Sequence, residues 1–167
     1  MATDYTDQSM AVRALAVLLE QQQWSMVTAE SCTGGMIASA CTDLAGSSAW
    51  FEGGIVSYSN HLKQALLKVP AETLKRHGAV SEQTAAAMAQ GAIACSQAQI
   101  SLATTGIAGP AGAVHGKPVG TLCFGYCMAG QLYTETQYFT GSRAEIRTEA
   151  TLHALNKVIG YLQVYDK

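Results

Sequence analysis

The chain has 167 residues, is 49% hydrophobic and 13% charged, and carries a net charge of −2. That balance suits one globular domain over residues 1–167 with a sizeable core, and it excludes a disordered chain. With no basic block, no apolar run long enough to span a bilayer, and an acidic start at residues 1–7 unlike a signal peptide, it argues against a nucleic-acid binder, a membrane protein or a secreted one.

In chain order, Ala11, Ala14, Leu15 and Leu18 recur on one face and predict an amphipathic helix over 8–23. A short strand over 25–29 enters a polar turn at 28–35, Thr-Ala-Glu-Ser-Cys-Thr-Gly-Gly, and a small-residue helix over 34–43 leaves it. A second strand, 50–57, carries the pair Gly53-Gly54, a pattern that marks a bulge or a close approach by a ligand or backbone. The stretch 58–63 opens a helix that runs to 68, and Pro70 begins a short helical piece that Gly78 ends. Ser81 is placed to cap an alanine-rich helix reaching residue 96. A strand over 100–104 precedes a Gly/Pro loop at 105–120. Strands at 121–128 and 132–139 form a hairpin across Ala129-Gly130, and Gly141-Ser142 begins a last helix with Leu152, Leu155, Ile159 and Leu162 along its apolar stripe. Strands alternate with helices and then two adjacent strands pair. The predicted fold is therefore α/β, a single layered domain with a mixed β-sheet flanked by helices.

Five cysteines (32, 41, 95, 123, 127) form no Cys-x-x-Cys pair, as expected of free thiols in a reducing cytoplasm. Four histidines (61, 77, 115, 153) match no metal motif, so nothing predicts a metal site.

Three stretches carry candidate chemistry. In the turn at 28–35, Glu30, Ser31 and Cys32 stand at a helix start, where backbone N–H groups suit a bound phosphate or an oxyanion formed as Ser31 attacks a carbonyl. Ser31 or Thr33 acting as a plain helix cap explains the same residues. Cys32 is a rival nucleophile, but the phosphatase spacing needs an arginine where Ala38 stands. The loop at 105–120 exposes backbone at Gly106, Gly109, Gly112 and Gly116. It is no Walker loop, which requires glycine at Ala111 and Ser or Thr at Pro118. Cradling of a ligand and a plain long turn both fit it. Tyr58, Asn60 and Lys63 form the third stretch: Asn60 and Lys63 share a helix face, and a buried, neutral Lys63 serves as a base, directly or through the Tyr58 phenol. Arg143 and Arg147, four apart, fit phosphate grips or a solvated pair equally well.

Six ordered motifs then carry a resemblance: Ala-Glu-Ser-Cys-Thr-Gly-Gly (29–35), Gly-Gly-Ile-Val-Ser-Tyr-Ser-Asn-x-x-Lys (53–63), His-Gly-Ala-Val-Ser (77–81), Thr-Gly-Ile-Ala-Gly-Pro (105–110), Lys-Pro-Val-Gly-Thr (117–121) and Phe-Thr-Gly-Ser-Arg (139–143). Together, and over nearly the whole chain, they resemble the CinA C-terminal domain family, whose stand-alone bacterial members are nicotinamide-nucleotide amidases. The resemblance implies hydrolysis of the carboxamide of nicotinamide mononucleotide to nicotinate mononucleotide and ammonia, with no metal or organic cofactor. It casts Ser31 as nucleophile, Lys63 as base and Tyr58 as its assistant, a set similar in logic to Ser/Lys/Tyr acyl-transfer enzymes without their Ser-x-x-Lys spacing. The substrate-binding set expected with them is Glu30, Cys32, Thr33 and Gly34 in the turn, Asn60 beside the base, and Thr105, Gly106, Ala108, Gly109 and Arg143 toward the phosphate. Expected partners are a small nucleotide and a second copy of the chain, with no nucleic acid and no membrane. The chain departs from the family pattern at 113–116, where a more polar segment is expected, and the resemblance carries no expectation of the activity of the N-terminal domain of full-length members. A non-catalytic interaction domain, or a module that binds a nucleotide without turning it over, is the alternative.

Overall fold

The structure, a computed structural model, describes residues 5–165; the acidic start read at 1–7 lies partly outside them. One five-stranded sheet is built from β1 (Met26–Glu30), β2 (Phe51–Val56), β3 (Ile100–Gly106), β4 (Thr121–Met128) and β5 (Gln131–Tyr138), in the order β2-β1-β3-β4-β5. β2 and β3 lie parallel to β1, while β4 runs antiparallel to both its neighbours. The mixed sheet is as expected, and β3 runs two residues further than its predicted end because Thr105 and Gly106 pair with Cys123 and Leu122.

Among the described residues, six α-helices cover the two faces. α1 (Gln8–Gln22), α2 (Met36–Thr42) and α6 (Arg143–Tyr165) pack on one. There Leu15, Leu19, Ile37, Leu155 and Ile159 close over Met26, Leu102 and Phe124. α3 (Asn60–Leu67), α4 (Ala71–His77) and α5 (Glu82–Ala94) lie on the other, where Leu67, Met88 and Ala92 meet Val27, Ala29 and Ala103. Burial of these apolar side chains, worth about 1.5–3 kcal/mol each for the larger ones, holds the layers together.

Local chemistry explains the helix starts. Asp7, Ser59 and Ser81 each accept a backbone N–H from the first turn of α1, α3 and α5. Ser142 and Glu145 form a reciprocal capping box for α6: the Ser142 N–H donates to the Glu145 carboxylate (2.7 Å), and the Glu145 N–H donates to Ser142 Oγ (3.3 Å). Of the two alternatives for the glycine pair the bulge is found, since the β1–β2 register slips between Met26 and Val27 beside it; what approaches Gly54 is neither ligand nor backbone but the Ala38 side chain of α2, 2.6 Å from where a Cβ would lie. α6 is further tied to the hairpin by Glu135, which accepts from His153 (2.8 Å), Lys157 (3.2 Å) and the Tyr126 hydroxyl (2.9 Å). Burial alone would raise the Glu135 pKa, but the bonds from His153, Gln137 and Tyr126 and the His153 charge bring it down to about 2. Among the described residues no helix is long and apolar enough to cross a membrane.

Candidate active site

In a sheet ordered 2-1-3-4-5, the chain leaves β1 toward β2 on one side and returns to β3 on the other. The crevice beyond the carboxyl ends of β1 and β3 is therefore the topological switch point where such folds place their sites. The turn 31–35 and the loop 107–120 both emerge there. The Ser31 N–H donates to Thr104 O (2.9 Å), and the Thr33 and Thr104 hydroxyls meet at 2.7 Å, so the turn is moored to β3.

Lys63 comes from α3, 32 residues further along the chain. Its Nζ lies 2.9 Å from Ser31 Oγ, 2.9 Å from Ser57 O and 3.2 Å from Tyr58 O. Lys63 is 1% exposed and Ser31 7%. Burial lowers the Lys63 pKa from 10.5, opposed by the nearby Cys32 thiol. Among the described residues no carboxylate pairs with this amine. The two carbonyls take two N–H groups, and the third direction faces the serine. An amine without its proton has that number of N–H groups and one lone pair, so the geometry suits a base for the Ser31 hydroxyl.

The predicted companions divide. The Tyr58 phenol is 60% exposed and accepts from Arg143 Nη2 (3.2 Å). It does not stand between serine and lysine; the residue's contribution there is its carbonyl. Glu30 is a correction: it is fully buried, and its two oxygens accept the N–H groups of Gly35, Ile37 and Ala38 and the hydroxyls of Thr28 and Thr33. It caps α2, whose own N-cap is Gly35, and is not open to a substrate. The Thr33 hydroxyl is bound to Glu30, the Thr105 hydroxyl to Ala79 O (2.7 Å), and Ala108 lies in the apolar core, so these side chains face inward as well. Gly106 ends β3, and a Cβ there would lie 2.4 Å from the Leu122 side chain. Asn60 is exposed at the start of α3. Gly109, joined to Pro110 by a cis peptide, presents its carbonyl to Arg143 Nη1 (2.8 Å).

The Cys32 thiol is pushed up to about 12 by burial, against the pull of the Cys32 and Thr33 N–H groups and of Lys63, which leaves it protonated at neutral pH. Of the donors expected for an oxyanion, the Gly34 N–H is spent on Ser31 O (3.0 Å) and the Gly35 N–H on Glu30; those of Cys32 and Thr33 have no oxygen acceptor among the described residues.

Two stretches not assigned a role by sequence meet on the α5 face. Lys117 Nζ donates to His77 O (3.1 Å) and Val80 O (2.6 Å), and the two segments line an open cleft of about 480 Å³ with Glu82, Thr136 and Tyr138.

Comparison with known proteins bears on the family and the fold. The CinA C-terminal domain model matches residues 8–162. The chain belongs to the CinA C-terminal domain family. It is 48% identical over 132 residues to the nicotinamide-nucleotide amidohydrolase PncC of Escherichia coli K12, covering 78% of this chain and 80% of that protein. It is 44% identical over 146 residues to PncC of Enterobacter agglomerans, covering 87% and 89%. Another CinA-type relative, a competence-damage inducible protein of Symbiobacterium thermophilum, is 43% identical over 96% of this chain, but the match spans only 40% of that longer protein. Among solved structures, a CinA superfamily protein of Klebsiella pneumoniae superposes with a TM-score of 0.92 at 34% identity, over 95% of this chain and 99% of that one. The Agrobacterium tumefaciens competence/damage inducible protein CihA gives 0.89 at 39% identity, over 98% and 99%.

Proposed function

We propose that this chain is a nicotinamide-nucleotide amidase that works by serine acyl transfer, with nicotinamide mononucleotide as substrate. The observation that carries the reading is the 2.9 Å contact between Ser31 Oγ and a buried Lys63 amine whose other neighbours are carbonyls. The amidohydrolase name borne by relatives at 44% and 48% identity supplies the substrate class.

In this reading Lys63 takes the Ser31 proton as Oγ bonds to the carboxamide carbon. The Cys32 and Thr33 N–H groups, which meet the Cys32 thiol but no oxygen among the described residues, turn to the developing oxyanion; one such donor is typically worth about 2.7–4 kcal/mol of barrier. Lys63 then gives the proton to the amide nitrogen, the C–N bond breaks and ammonia leaves. Water, deprotonated by Lys63, attacks the ester, and the proton returns to Ser31 Oγ as nicotinate mononucleotide departs. Arg143, exposed above the crevice between Gly109 and Tyr58, is the proposed phosphate partner. A homodimer and a cytoplasmic setting complete the proposal; the exposed apolar side chains of Val56, Tyr58, Leu62 and Leu66 beside the site favour the first.

The test is ammonia release from nicotinamide mononucleotide by the purified protein. Ser31→Ala and Lys63→Ala each lose about 10³-fold or more, whereas Cys32→Ala keeps most of the activity. Turnover that survives in Ser31→Ala removes the serine mechanism, and binding without ammonia in the wild type turns the site into a nucleotide-binding module.

A further inference from the structure

α6 reaches the nucleophile turn with a second arginine, and this one is not open to solvent chemistry in the way Arg143 is. Arg147 Nε donates to Cys32 O (3.0 Å) and Nη2 to Thr33 O (2.9 Å), across 115 and 114 residues of chain. The Cys32 carbonyl has no other donor among the described residues. The next residue, Gly34, has φ +60°, and a Cβ on it would lie 3.1 Å from Arg147 Nη2, so the guanidinium fills the space against the turn. Both of its hydrogen bonds are therefore spent on two successive peptides directly after Ser31, and none on a carboxylate.

Those peptides carry the N–H groups of Thr33 and Gly34 on their other ends. Gly34 closes the turn onto Ser31 O, while the Thr33 N–H meets no oxygen among the described residues and only the soft Cys32 thiol, a weak acceptor that an oxyanion displaces. A cation bonded to a carbonyl draws electron density through the peptide and strengthens the N–H opposite. It also fixes the direction in which that N–H points.

We propose that Arg147 is a positioning residue for the acyl-transfer step: its fork holds the Cys32 and Thr33 peptides so that the Thr33 N–H, strengthened by the guanidinium, is aimed at the oxyanion formed on Ser31. The inference rests on the serine reading given above and adds to it the reason why the last helix must dock before the turn is competent. Arg147 touches no substrate in this account. Its effect is felt in turnover and not in affinity.

The experiment measures two rates in wild type, Arg147→Ala, Arg147→Lys and Gly34→Ala. One is ammonia release from nicotinamide mononucleotide; the other is modification of Ser31 by a fluorophosphonate, followed by intact mass, which needs the same alcohol and the same donors but no nucleotide. Both rates fall on the order of 10- to 100-fold in Arg147→Ala, as a misaimed catalytic group predicts, with KM within about threefold of wild type. Free guanidinium ion restores several-fold of the loss. Arg147→Lys remains impaired, since an ammonium is a point donor and cannot fork across two carbonyls; it also repeats the test where truncation costs the fold. Gly34→Ala, which presses on the fork without removing it, shows a smaller loss of the same kind. Wild-type labelling rates in both arginine variants overturn the proposal, and so does a rise in KM at unchanged kcat, which would place Arg147 on the substrate. A wild type that is labelled at Ser31 but releases no ammonia removes the substrate assignment alone, and the labelling rates of the variants still decide the role of Arg147.

Discussion

Lys63 is buried among carbonyls with no acidic partner among the described residues, so the folded state favours its neutral form. The sign of the pH effect follows. The folded pKa lies below the unfolded value of 10.5, so between the two the unfolded chain binds more protons, and stability rises with pH up to that value. The melting temperature of wild type relative to Lys63→Met is therefore expected to shift in favour of wild type as pH rises from 7 toward 10.5, and ammonia release climbs along one limb in that range. A difference in melting temperature that stays flat with pH would remove the neutral amine. Ser31 and Lys63 were readable in the sequence because each sits in a short motif whose chemistry is carried by side chains. Arg147 was readable only as one of two equivalent arginines. Its partners are carbonyls more than a hundred residues away, and a carbonyl leaves no trace in residue type.

At the scale of elements, Glu30 shows why a residue can be found and its task misjudged. It stands in the candidate turn, one position before Ser31, and reads as a carboxylate available to a ligand. In the fold, α2 starts at a glycine with no capping side chain, and the carboxylate at the end of β1 supplies the missing acceptors for three of its N–H groups. Glu30→Gln is expected to lose about 1.5–3 kcal/mol of stability in urea unfolding, the usual worth of hydrogen bonds to a buried charge, with KM for the nucleotide unchanged. A weakened KM at unaltered stability would return Glu30 to the binding set. The starts of α5 and α6 were legible because Ser81 and Ser142 cap locally, within three residues.

The whole molecule is a sheet with a slab of helix on either side, and α5 is the member on which α3 rests. A Cβ on Gly91 of α5 would lie 2.0 Å from Leu67 O, at the end of the helix that carries Lys63. Gly91→Ala is thus expected to cost about 1–3 kcal/mol by overpacking and, by displacing α3, to lower kcat as well; unchanged stability and rate would show that the two helices can part freely. The layered, mixed sheet was legible from alternation followed by a hairpin. The strand order was not, because nothing in local sequence says on which side of β1 the chain returns, and it is that return which brings Thr104 to Ser31 and creates the crevice. The alcohol and the amine are 32 residues apart and approach only when β2 has paired with β1 and α3 has seated. In a nascent or denatured copy of this polypeptide the alcohol and the amine are accordingly still apart, so their contact is itself a mark of completed folding.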